Sequence, residues 1–321
     1  MEITPEIKEK LEALQNKYDV MGQDMLAYLD GLLHSEYVNY WDYIHLDTLL
    51  SLQSPRTPIP DERIFIIYHQ ITELYFKLCL QAIEQVQDQE NLTKEFLMRQ
   101  LRRLISYFES LVRSFEVMID GMDKEEFLQF RMALLPASGF QSVQFRMIEF
   151  MSTDGNNLVH AEARSQYTHN SEPSNYWSEL YWKRGGLEMK TGKKTLTLRR
   201  FEKKYAKPMQ ELATDQLNIN LNRLYRPWAD DAELVKLLRR YDQLATVDWP
   251  MAHMTSAAKY LDKKPEVIEA TGGTNWQKYL PPRFRRVTFF PDLWTEAELE
   301  SWGSARAKQG GASGGKCPGM H

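Results

Sequence analysis

Residues 93–119 read TKEFLMRQLRRLISYFESLVRSFEVMI. Leu97, Leu101, Leu104, Ile105, Phe108, Leu111, Val112, Phe115 and Ile119 recur in them at three- and four-residue steps. That is the period of an α-helix with one apolar face. Thr93 supplies a hydroxyl for the N-cap. Upstream, residues 62–87 repeat the same period after a break at Pro58, Pro60 and Asp61. Nearer the start, Thr4 and Pro5 open a helix whose stripe runs through Ile7, Leu11, Leu14, Tyr18, Met21, Met25 and Leu29, with Gly31 near its end. Downstream, residues 143–151 resume helical spacing after Pro136, Ala137, Ser138 and Gly139. Residues 232–244 and 250–261 read as two further helices, with Asp248 capping the second. Only residues 195–198 hint at alternation. The pattern predicts an all-α fold without internal repeats.

The chain has 321 residues, 43% hydrophobic and 26% charged, which fits a globular chain able to bury a large core. The net charge of −4 gives no global pull toward nucleic acid or anionic lipid. No apolar run approaches the ~20 residues that span a bilayer. Met1 precedes Glu2 and Glu6 rather than a basic start and an apolar run, so no signal peptide is expected. The two cysteines, Cys79 in an apolar helical run and Cys317 near the end, fit a reducing cytoplasm. Aromatic residues reach 12%, enough for a flat apolar pocket as well as a core. Residues 183–207 carry ten Lys or Arg and two Glu, and read as a solvated connection rather than a nucleic-acid surface. Residues 303–321, with Gly310, Gly311, Ala312, Ser313, Gly314 and Gly315, read as a disordered tail. Cys317 and His321 in that tail are a weak metal signal.

The signatures GxGxxG, GxxxxGK[ST], HExxH and CxxCH are absent, and GxSxG occurs only as residues 311–315 of the Gly-rich tail, outside any strand–turn–helix pattern. This speaks against dinucleotide, P-loop, zincin, α/β-hydrolase and c-type haem chemistry. Two histidines stand in unusual surroundings. His69 shares a helical face with Phe65 and Phe76. His253 opens a helix between Met251 and Met254, where a neutral imidazole could ligate haem iron. For each, spacing alone also allows a core histidine with one backbone hydrogen bond. Arg131 sits in the apolar run FLQFRMALL, residues 127–135, where its permanent charge demands an anion. That anion could be a carboxylate of a neighbouring helix or of a ligand. Thr271, Gly272, Gly273 and Thr274 form a second possible anion cradle, or an ordinary loop.

Residues 61–78 (DERIFIIYHQITELYFKL), 127–150 (FLQFRMALLPASGFQSVQFRMIEF), 271–273 (TGG), 40–47 (YWDYIHLD) and 290–294 (FPDLW) together resemble the tryptophan 2,3-dioxygenase family. They occur in family order across most of the chain, and the 61–78 and 140–150 segments are long and unusual. The resemblance implies an all-helical, homotetrameric, cytoplasmic enzyme with haem b. It would insert both atoms of O₂ across the indole C2–C3 bond of L-tryptophan, giving N-formyl-L-kynurenine on the kynurenine pathway. It implies His253 as the axial haem ligand and His69 as the distal histidine that accepts the indole N–H. It places Phe65 against the indole, Arg131 on the substrate carboxylate and Thr271 by the ammonium and carboxylate. Ser138 falls in the distal pocket, and Tyr40 and Tyr43 reach a neighbouring subunit's site. It divides the chain into an N-terminal helix in subunit contacts (1–35), the dioxygenase domain (36–302) and the tail (303–321).

The chain also departs from the family pattern. Phe127 stands where many members have a tyrosine that touches the substrate carboxylate. The segment after His253 lacks the usual basic, β-branched pattern, and Thr274, Asn275 and Trp276 replace a common Ser-Ser-Gly. Related haem proteins of this fold add one oxygen atom to aromatic amino acids. A haem-dependent monooxygenase and a non-catalytic haem or tryptophan sensor are therefore the alternatives.

Overall fold

The computed structural model describes residues 3–35, 38–134, 141–188, 191–263, 266–267 and 281–304, the last part of 191–263 and residues 266–267 by backbone alone. Its contacts divide the chain into two units, residues 1–53 and 54–321.

In the first unit, α1 (Pro5–Val20) starts where the Thr4 side chain accepts the Ile7 N–H, with Pro5 in the first turn. The single helix expected up to Leu29 is broken. Gly22 adopts φ +64°, and Asp24 caps a new helix, α2 (Met25–Leu33), by accepting the Leu26 N–H. The two pack through stacked Tyr18 and Tyr28 rings, 4.4 Å apart. Two short helices follow, α3 (Tyr40–Tyr43) and α4 (Leu46–Ser51), joined at His45 with φ +51°. None of the described residues of this unit is buried.

The second unit is built on α5 (Asp61–Gln87) and α6 (Lys94–Ser114), which pack on each other. Thr93 caps α6 as expected, accepting the Phe96 N–H, and Leu97, Leu101, Leu104, Phe108 and Leu111 are buried. A short α7 (Glu116–Ile119) and α8 (Lys124–Phe130) follow. Next, α9 (Val143–Ser152) packs on α5, its start capped by Ser142. Beyond lie α10 (Pro173–Tyr176), α11 (Leu196–Asp215) and α12 (Leu221–Leu224). The alternation read at residues 195–198 is the start of α11, where Thr195 caps by accepting the Leu198 N–H.

The main departure from the sequence reading in this unit is that α13 (Ala232–Gln243) and α14 (Trp249–Leu261) are joined by a π turn, Leu244–Asp248, into one continuous rod. The Asp248 carboxylate, in the last position of the π turn, pairs with Arg240 at 3.1 Å. The basic connection is not wholly solvated either, since Lys183 is 3% exposed and pairs with Glu202 at 2.8 Å. Short helices α15 (Pro282–Arg285) and α16 (Glu296–Glu300) complete the described chain. Among the described residues the strands are two-residue pieces, Asp262–Lys263 paired antiparallel with Glu266–Val267. The fold is all-α, as the periodicity implies. Residues 305–321, the bulk of the expected tail, lie outside the described residues.

Two apolar clusters fill this unit. The larger gathers Phe76, Leu80, Ile83, Leu101, Phe108, Ile148, Tyr241 and Phe289. The smaller joins Tyr68, Phe115, Met118, Phe127, Phe130 and Tyr260, with Phe65 packed against it.

Candidate active site

The start of α5 is fixed before its functional face begins. Glu62 is 1% exposed and accepts the N–H groups of Arg56 at 2.8 Å and Thr57 at 2.7 Å, plus the Thr57 hydroxyl at 2.6 Å. Burial alone would raise its pKa, but these donors outweigh burial and hold the carboxyl below its ordinary range. One turn further, Phe65 and His69 meet as the four-residue spacing requires, with ring centroids 4.0 Å apart.

The His69 Nδ1 lies 2.7 Å from the Phe65 carbonyl oxygen. A carbonyl only accepts, so Nδ1 carries the proton. Loss of water lowers the His69 pKa, against smaller opposing effects of this bond and of the Glu73 carboxylate. The ring is therefore neutral near pH 7, and its Nε2 is left as an acceptor. Although atoms packed around the ring lower its pKa, His69 remains solvent-exposed. Gln144 of α9 donates to both the Glu73 main-chain oxygen and its carboxylate, at 2.8 and 2.9 Å, and so ties α9 to α5 beside His69.

His253 comes from α14. Its ring stacks on Phe115 at 5.9 Å and 18°. Tyr68 packs on Phe115 at 5.5 Å and stands edge-on to His69 at 5.6 Å. Tyr68 and Phe115 thus bridge the two histidines. Trp249, one turn before His253, lies 4.6 Å from Phe115 and 5.7 Å from Phe76. Burial drives the His253 pKa down to about 4, helped by the charges of Arg285 and His69. Among the described residues neither ring nitrogen of His253 has a hydrogen-bond partner.

The third wall is aromatic. Phe65 lies 6.2 Å from Phe127 and 5.9 Å from Phe130, and Phe127 lies 4.8 Å from Tyr260. The Tyr260 hydroxyl donates to the carbonyls of Met118 and Met122, which ties the end of α14 to the α7–α8 corner. Arg131 follows Phe130 directly and is 8% exposed; burial lowers its pKa, but a guanidinium keeps its charge.

His69, Phe65, Phe127 and His253 are thus brought together around one aromatic cluster, with Arg131 at its edge. Tyr40 and Tyr43 belong to the other unit and are 70% and 78% exposed. Ser138 and Thr271 lie outside the described residues. The sequence reading missed Tyr68, Phe115, Phe130, Trp249 and Tyr260. Only Trp249 left a local signal, a ring one helical turn from His253. The 140–150 motif holds structural polar groups: buried Arg146 and Glu149 pair at 2.9 Å, and Arg146 donates to the Tyr181 hydroxyl at 3.0 Å.

A model of the family described as tryptophan 2,3-dioxygenase matches residues 31–180. A tryptophan 2,3-dioxygenase of Ralstonia pickettii is 30% identical over 273 residues, covering 81% of this chain and 92% of that protein. The chain belongs to the tryptophan 2,3-dioxygenase family. A Ruegeria member is 29% identical over 80% of this chain and 91% of its own length. A second dioxygenase of Ralstonia nicotianae reaches 41% identity, over 125 residues that cover 36% of this chain and 34% of that protein. Among the described residues no helix is long and apolar enough to cross a membrane.

Proposed function

We propose that this chain is a haem-dependent dioxygenase that inserts both atoms of O₂ across the indole C2–C3 bond of L-tryptophan, yielding N-formyl-L-kynurenine. One observation carries the reading. Among the described residues, a neutral His69 whose Nε2 has no partner and a neutral His253 without a hydrogen-bond partner flank the same aromatic cluster, in a member of the tryptophan 2,3-dioxygenase family.

Haem b fits these residues. Iron takes the neutral form of imidazole, and His253 is held neutral, with neither ring nitrogen hydrogen-bonded among the described residues. Phe115, Trp249 and Tyr68 offer apolar ring surface to a planar macrocycle. His253 would hold the iron. Haem, when bound, supplies the capacity to bind and activate O₂ that no side chain has.

The remaining work belongs to the protein. His69 Nε2 accepts the indole N–H and orients the ring, because the Phe65 carbonyl fixes its tautomer. Phe65 packs against the indole. By family resemblance, Arg131 clamps the substrate carboxylate in a bidentate contact. By family resemblance, Thr271 holds the ammonium and carboxylate, and Ser138 lines the distal pocket. Tyr40 and Tyr43 complete a neighbouring subunit's site in a homotetramer. Their exposure, in a unit with no buried described residue, supports a role between subunits. A cytoplasmic location suits the fully buried free thiol of Cys79.

The test is anaerobic reduction of the purified, haem-loaded protein, followed by L-tryptophan and O₂, with absorbance and product mass followed together. A product heavier by two oxygen atoms is expected. A product heavier by one assigns the chain to monooxygenation and makes Phe127 the first residue to examine. Haem binding with no oxygen uptake leaves a sensor.

A further inference from the structure

The helix carrying His253 does not continue α13 in ordinary register. In the π turn Leu244–Asp248 the Trp249 N–H reaches the Leu244 carbonyl, five residues back. Pro250 gives the local cause. Proline has no N–H to donate, and its ring collides with the carbonyl four residues earlier, here that of Thr246. A wider turn relieves both. A π turn absorbs one extra residue. Without it, every side chain beyond would be turned by one helical step, about 100°. The buried face of α13, with Leu234, Leu238 and Tyr241, lies before the turn, and His253 lies after it. The direction of His253 relative to the core is therefore set by this turn.

Asp242 holds the turn in place. Its carboxylate is fully buried and accepts the N–H groups of Phe289 at 2.8 Å and Phe290 at 3.1 Å, and the Trp294 indole N–H at 2.9 Å. The hydroxyl of Thr246, inside the turn, donates to the Asp242 main-chain oxygen at 2.8 Å and lies 3.4 Å from its Oδ1. None of these partners is a cation. The segment that Asp242 grips is anchored independently. Thr153 donates to the Phe289 carbonyl at 2.6 Å, and Trp302 to the Val287 carbonyl at 2.8 Å. At the far end of the turn, Arg240 joins Asp248 to Glu109 of α6. A buried carboxylate held by neutral donors alone carries a desolvation penalty that an apolar side chain would avoid. Its use here fits a geometric task.

We propose that Asp242 is a positioning residue for His253: by holding the π turn against residues 289–294 it fixes the rotation of α14 and so the aim of the imidazole. The proposal rests on the reading of His253 as the haem ligand.

The test compares Asp242→Asn, Thr246→Val and Trp302→Phe in the haem-loaded protein. Trp302→Phe loosens the same segment without touching Asp242. The readouts are haem affinity, the iron–histidine stretching frequency and the melting temperature. Asp242→Asn should weaken haem binding at least tenfold and shift or split the stretching band. Thr246→Val, which removes one hydroxyl at nearly constant volume, should act in the same direction by a few fold even if Asp242→Asn does not fold. Trp302→Phe should lower the melting temperature and leave the band unchanged. Unaltered affinity and band in Thr246→Val and in folded Asp242→Asn overturn the proposal, as does an equal shift in Trp302→Phe. His253→Ala separates the two levels. If that variant loses the band while the Asp242 and Thr246 variants keep it, only the positioning role fails. If it keeps the band, the ligand reading fails and the proposal with it.

Discussion

His69 and Phe65 are joined twice, through rings 4.0 Å apart and through the His69 Nδ1–H donated to the Phe65 carbonyl at 2.7 Å. The second link decides the chemistry, because it leaves Nε2 as the acceptor. Replacing His69 by Ala should lower kcat/KM for L-tryptophan by roughly 5- to 150-fold, the worth of a buried hydrogen bond of about 1–3 kcal/mol. N1-methyltryptophan has no N–H to give, so its smaller rate should hardly change. Equal losses on the two substrates would refute the acceptor role. Steady-state kinetics on the pair decides it.

Arg131 should act on the other end of the substrate. Arg131→Lys keeps the charge but loses the planar fork. We expect a KM for L-tryptophan raised about tenfold or more, as for other losses of a charged hydrogen bond. Tryptamine, which lacks the carboxylate, should bind both proteins alike. Equilibrium binding of the two ligands checks this.

Phe127 is buried against Phe65, Phe130 and Tyr260 and has no polar group to offer. Phe127→Tyr should restore a hydroxyl near the substrate carboxylate and tighten L-tryptophan binding by about 1 kcal/mol. The product mass should stay that of a dioxygenase. If the variant changes the number of oxygen atoms added, Phe127 controls the outcome rather than the affinity.

The depressed pKa of His253 makes stability depend on pH. The unfolded chain takes up the proton near pH 6.5, whereas the folded chain resists until about pH 4. Between these values the unfolded state binds more protons, so stability falls as pH falls, and above pH 6.5 the effect is absent. In the haem-free protein, His253→Gln should flatten that slope. Urea denaturation across the window measures it.

Glu62 works in the opposite charge state. Its lowered carboxyl pKa stabilises the fold above the ordinary value of 4.5, and that contribution disappears as pH drops through the folded value. Glu62→Gln turns an amide toward three donors and should lower stability by about 1–3 kcal/mol at neutral pH. The difference from the parent protein should shrink in acid.

Much of this protein is legible in local sequence. The helical periods of α5 and α6, the caps at Thr4 and Thr93, and the meeting of Phe65 with His69 depend on spacings of three and four residues. Helix geometry converts such spacings directly into shared faces. Family motifs added roles for His253 and Arg131 that spacing alone left open.

The tertiary structure decided the rest, because it depends on which distant elements touch. No local pattern says that Tyr68 of α5 and the Phe115 that ends α6 bridge His69 to His253, or that Tyr260 reaches the carbonyls of Met118 and Met122. Nor does it say that Lys183, in a run of cations, is buried on Glu202. The π turn shows the division most clearly. Pro250 disfavours an ordinary helix there, because it has no N–H and its ring crowds the Thr246 carbonyl. How the chain absorbs the resulting misfit depends on Asp242 finding Phe289, Phe290 and Trp294, residues that only folding brings to it.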